Sequence, residues 1–136
     1  MKIKVNSLNI FDYSKAVKYS TKEYLDLRIN WMNLNHAQNI IFSLSKTSIK
    51  DELRASEIFN SILSAMGNQY TYKIKILIGA EIIGKKQRCD IRLTEENQKK
   101  YDTIKEEFKM NGKDEELFNI LIKIFCDEYE MMQYGK

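Results

Sequence analysis

The stretch LFNILIKIFC, residues 117–126, puts apolar side chains on nearly every side of any helix drawn through it. A helix with an apolar circumference has to be covered all round. The cover must come from the rest of the chain or from a second subunit. At 136 residues the chain is of one-domain size. Its 43% hydrophobic and 30% charged residues suffice for a core and are too apolar for a disordered chain. The longest apolar runs are broken by Lys or Asn well before the roughly 18 residues that a membrane span needs. The start, MKIKVNSLNIF, has no apolar stretch of signal-peptide length. The expectation is a cytoplasmic protein with no membrane partner.

Hydrophobic spacing divides the chain into elements. KIKVNSL, residues 2–8, alternates like a short strand. STKE, Ser20 to Glu23, has the form of a capping box and predicts a helix over 21–32, followed by helical spacing at Ala37, Ile40, Ile41 and Leu44. Ser48 and Asp51 open a stronger helix over 49–66, and Gly67 stops it. YTYKIKILIG then changes period and predicts a strand over 70–78. A second alternating segment, 88–93, sets Arg88, Asp90 and Arg92 against Cys89, Ile91 and Leu93. Thr94 caps a helix whose core contacts are Tyr101, Ile104 and Phe108. Asn111-Gly112 breaks it, and Asp114 caps a final helix running to about Tyr129. The fold class expected is α+β: a mainly helical N-terminal part with short strands, residues 1–84, and a C-terminal strand-helix-helix module, residues 85–136.

The net charge of +3 is too small to name a partner, but its distribution is uneven. Between 71 and 92, Lys73, Lys75, Lys85, Lys86, Arg88 and Arg92 stand against only Glu81 and Asp90, whereas acidic residues outnumber basic ones from 93 onward. Strand, helix, Asn-Gly turn and helix in that order make the segment from Arg88 to Tyr129, about a third of the chain, resemble the ribbon-helix-helix family of DNA-binding proteins. The resemblance implies a homodimer whose two strands, one from each chain, pair antiparallel and enter the major groove of double-stranded DNA. It turns Cys89, Ile91 and Leu93 toward the dimer core and Arg88, Asp90 and Arg92 toward the bases. Arg88 and Arg92 would donate to guanine, and Asp90 would accept from cytosine. Asn111, Gly112 and Lys113 would rest on a phosphate, with Lys85, Lys86 and Gln87 on flanking phosphates. Members of the family serve as transcriptional repressors, antitoxins, and plasmid partition or relaxosome accessory factors. The N-terminal part would then bind an effector or a second protein. Two features depart from the pattern: carboxylates at Asp114, Glu115 and Glu116 beside the expected phosphate, and Asp90 on the ribbon. The plain alternative pairs strand 88–93 inside its own chain, with 70–78 or with the N-terminal strand.

Other signals carry less. GAEIIGKK, Gly79 to Lys86, nearly spells a phosphate-binding loop, but Lys86 stands where a hydroxyl is needed and a strand follows where a helix is required. His36 is the only histidine and has no nucleophile pattern beside it. Cys89 and Cys126 fit neither a disulfide framework nor a zinc site and read as small buried hydrophobes. No enzyme activity, cofactor or metal is expected. Tyr13, Tyr19, Tyr24 and Trp31, interleaved with Lys15, Lys18, Lys22 and Arg28, would suit base stacking if exposed, and core packing otherwise. The competing functional expectation is a small protein-binding inhibitor or adaptor from a phage or other mobile element, with no DNA binding.

Overall fold

A computed structural model describes residues 18–44, 54–66 and 71–134. The strand expected over 2–8, the helix start at Ser48 to Asp51 and the stop at Gly67 lie outside the described residues. The elements run β1 (Leu25–Asn30), α1 (Trp31–Leu44), α2 (Ala55–Ala65), α3 (Thr71–Leu77), β2 (Lys86–Ile91), α4 (Glu95–Glu107) and α5 (Asp114–Tyr134). The fold is α+β, with β1 and β2 forming a two-stranded antiparallel sheet. Leu25 pairs with Ile91, Asp26 with Asp90, Arg28 with Arg88 and Asn30 with Lys86.

Two sequence expectations are corrected. Residues 25–30 form a strand rather than the middle of a helix over 21–32. LDLRIN alternates, with Leu27 and Ile29 buried and Asp26 and Arg28 exposed, and the ladder with β2 rewards that alternation. Ser20 accepts the backbone N–H of Lys22, a local turn in place of a helix cap. Conversely, residues 71–77 form helix α3 rather than a strand over 70–78. Ile74 is buried, with Leu77 and Ile78 partly covered, which is helical spacing. Lys73 of α3 pairs with Glu128 of α5.

The described residues contain two matching strand-helix-helix units, β1-α1-α2 and β2-α4-α5, with α3 between them. LDLRINWMN, residues 25–33, corresponds to CDIRLTEEN, residues 89–97, and SEIFNSIL, residues 56–63, to EELFNILI, residues 115–122. Local chemistry agrees at each end. Asn30 Oδ1 accepts the N–H of Asn33 to cap α1, and Thr94 Oγ1 accepts the N–H of Asn97 to cap α4. Asp26 and Asp90 correspond and also pair across the ladder, so a pseudo-twofold axis passes between them.

The core sits under the inner face of the sheet. α5 packs on α1, α2, α3 and β1, so the all-round cover it demands comes from its own chain. The corresponding rings Phe59 and Phe118 meet near the axis, edge to face with centroids 4.8 Å apart, and Tyr101 tilts against Phe118 at 4.7 Å. One hydrophobic cluster holds Leu27 and Ile62 together with Ile91 and Leu121, so the parts expected as 1–84 and 85–136 share a core.

Both cysteines are buried. Burial, with Asp127 and Glu130 behind it, pushes the Cys126 thiol up to about 12, and burial also raises Cys89. A raised thiol value favours the folded state fully below the ordinary value of 9.0, and that contribution is lost as pH climbs through about 12. At pH 8 a disulfide reagent is therefore expected to label neither cysteine of the native protein while labelling both in urea. Rapid native labelling would show that the packing around α5 and β2 is not as described.

Candidate functional site

A two-stranded ribbon has two open edges, and unpaired backbone groups at an edge invite another chain. Here the C-terminal stretch of each edge, Arg28 to Asn30 on β1 and Arg92 to Thr94 just beyond β2, is closed by the second helix of the opposite unit. On the β1 edge, Arg28 N donates to Glu115 Oε1 at 2.8 Å and Asn30 N to Asn119 Oδ1 at 2.8 Å, while Asn119 Nδ2 donates to the carbonyls of Arg28 and Glu115, both at 2.9 Å. On the β2 edge, Arg92 N donates to Ser56 Oγ at 2.8 Å and Thr94 N to Asn60 Oδ1 at 2.9 Å. Asn60 Nδ2 donates to the carbonyls of Arg92 at 3.1 Å and Ser56 at 2.8 Å. The four bonds of one edge reappear at the corresponding positions of the other. Strand 86–91 pairs inside its own chain, with β1 rather than with 70–78.

With one stretch of each edge held by a helix and the inner face buried, the outer face is what the ribbon chiefly offers. Asp26 and Arg28 stand on it from β1, with Tyr24 just before that strand, and Lys86, Arg88 and Asp90 from β2, all exposed. Of the residues expected to touch bases, Arg88 donates from Nε to both oxygens of Asp26, at 2.8 and 3.0 Å, and its Nη2 also reaches that carboxylate. The hydrogen bond from Arg88, aided by the charge of Arg28, holds the Asp26 carboxyl below the usual carboxylate range. Asp90 lies directly across from Asp26. Arg92 is half-buried: its guanidinium donates to the Ser20 carbonyl at 3.1 and 2.9 Å and sits 5.9 Å from the Tyr19 ring and 5.5 Å from the Tyr24 ring. Its backbone is carried by the edge bonds above, and beside it Ser20 N donates to the Leu93 carbonyl while Thr94 forms an isolated bridge with Tyr19.

Lys85, Lys86 and Gln87 are exposed at the start of β2, where the Lys85 carbonyl accepts the N–H of Trp31. Gly84 just before them has φ +131°, and a Cβ there would come within 2.8 Å of Asn30 Nδ2. Asn111, Gly112 and Lys113 form an exposed turn ahead of α5, with Gly112 at φ +78°. They lie at the end of α5 whose first turn serves the β1 edge. Asp114, beside them, accepts from the Tyr101 hydroxyl, and Lys105 lies 3.5 Å from it.

Sequence reasoning missed Asp26, and it put Tyr24 and Arg28 on a helix, among residues that would suit base stacking if exposed, rather than on the ribbon. It also missed Arg54, which is exposed immediately before α2 and corresponds to Lys113 before α5. The repeats D-x-R in the strands and E-[IL]-F-N in the helices were the signal that locates both sets. Among the described residues, no group of three His, Cys, Asp or Glu could hold a metal ion, and no helix is long and apolar enough to cross a membrane. His36 lies 3.6 Å from Glu130 on α1 and α5. No family model, curated protein or solved structure matches the chain.

Proposed function

We propose that this chain is a sequence-specific double-stranded-DNA-binding protein of ribbon-helix-helix type that supplies both ribbon strands from one polypeptide. The observation that carries the reading is the pair of corresponding strands joined antiparallel about an axis, with the same four bonds sealing each edge. Such a ribbon is of a size that the major groove admits, and it would present Tyr24, Asp26, Arg28, Lys86, Arg88 and Asp90 to base edges. Lys85, Gln87, Lys113 with Asn111 and Gly112, and the corresponding Arg54, would hold phosphates. The homodimer of the sequence expectation is replaced in this reading by a pseudo-dimer within one chain. Its cellular role would be that of a repressor, antitoxin, or partition or relaxosome accessory factor.

The test is selection of bound fragments from a random duplex pool at low and moderate salt, followed by sequencing. A defined motif that survives moderate salt is expected, with binding weakening steeply as salt rises, because Lys and Arg displace counterions from phosphates. Asp26→Asn releases Arg88 from its carboxylate and is expected to tighten binding. A pool that enriches nothing at either salt would remove the proposal.

A second reading, as a protein-binding inhibitor or adaptor, is favoured by one observation. Trp31, Met32 and Ile83 are 50%, 67% and 85% exposed, and they come from neighbouring segments, since Asn30 Nδ2 donates to the Ile83 carbonyl. The sealed stretches of both edges leave strand addition little room, so this apolar group would be the contact.

A further inference from the structure

The two halves of the ribbon correspond in backbone but not in what they leave free. The corresponding pairs are Tyr24 with Arg88, Asp26 with Asp90 and Arg28 with Arg92. In the first half, the Asp26 carboxylate is taken by Arg88, while Arg28 is exposed and its guanidinium has no hydrogen-bond partner among the described residues. In the second half the situation is inverted. Arg92 is tied to the Ser20 carbonyl and lies near two tyrosine rings, while Asp90 is exposed and its carboxylate has no hydrogen-bond partner among the described residues. A donor is thus available on one strand and an acceptor on the other, at positions that do not correspond.

We propose that the DNA element this chain reads is non-palindromic, with Arg28 specifying a guanine in one half and Asp90 a cytosine in the other, so that the protein binds in one orientation. The inference rests on the reading of the ribbon as a major-groove element. The base assignments follow from donor and acceptor chemistry. A guanidinium matches the two acceptors of guanine, and a carboxylate matches the amino group of cytosine. Arg92 is in this account a positioning residue that holds the segment before β1 against the end of β2. A homodimer built on a true twofold axis must present identical half-sites, whereas one chain with two unlike strands is free of that constraint.

The experiment is the duplex selection repeated with the wild type, Arg28→Ala and Asp90→Asn, together with the mass of the complex on the selected duplex. The expected result is an asymmetric motif bound by one chain. Arg28→Ala should lose roughly ten- to a hundredfold discrimination at a guanine on one side only, and Asp90→Asn should relax the other side. A perfect inverted repeat bound by two chains, or relaxation of both sides by one substitution, would overturn the inference and leave DNA reading by the ribbon standing. No enriched motif with any of the three proteins would instead remove the DNA reading on which it rests.

Discussion

Phe118→Ala is expected to lower the free energy of unfolding by about 3–5 kcal/mol, measured by urea denaturation with an unchanged slope. Phe118 is fully buried, and its ring is shared by Phe59 of the first unit and Tyr101 of the second. No rearrangement of one neighbour alone can refill the space. A domain of this size has roughly 5–15 kcal/mol in hand, so the loss removes a large part of its margin. Phe59→Ala should cost a similar amount. Because the two rings touch, the double variant should fall short of the sum by about 1 kcal/mol. A cost near 1 kcal/mol for Phe118→Ala, or strict additivity, would show that the rings do not meet at the centre of the fold.

Asn60→Ala is the second large effect, at about 3 kcal/mol. Asn60 is fully buried. Its side chain accepts from Thr94 N, donates to the Arg92 carbonyl, and also meets Asn97. Truncation leaves these partners facing a methyl group, and each buried polar group left unpaired costs roughly 1–3 kcal/mol. Asn119→Ala, at the corresponding place on the β1 edge, should cost less, because Arg28 is exposed and water can take over its carbonyl. Either variant reopens a strand edge, so light scattering should show self-association absent from the wild type. If Asn60→Ala is no less stable than a surface Asn→Ala change, the edge bonds are not what closes the sheet.

The C-terminal unit was legible in the sequence because its signals agree: alternation over 88–93, the Thr94 cap, the Asn111-Gly112 turn and the apolar run from Leu117 all point one way. The first unit carries the same instructions with conflicting local signals. LDLRIN is short and follows STKE, whose spacing also suits a helix start. Its strand state is decided by a ladder to residues more than fifty positions away, which local spacing does not reveal. α3 fails for the opposite reason. YTYKIKIL alternates by residue type, yet its state is set by Ile74 in the core and the Lys73–Glu128 pair, while Tyr72 and Ile76 remain exposed. The base-facing roles of Arg88 and Arg92 follow from the family resemblance laid over the alternation of 88–93. Alternation gives the face but says nothing of Asp26 or Ser20, which occupy those guanidinium groups.

Closing each edge with a helix from the other unit also fixes the order of events during synthesis. β1 and α2 leave the ribosome before β2, α4 and α5 exist, so Ser56 and Asn60 emerge with no strand to bond, and Leu27 and Ile29 with no sheet to complete. The ribbon closes only when the late helix α5 arrives to cover the early strand β1, which makes assembly dependent on distant pairings that are slow to form. A nascent first half therefore resembles a subunit waiting for its mate, with the apolar face of its strand uncovered until the second unit arrives.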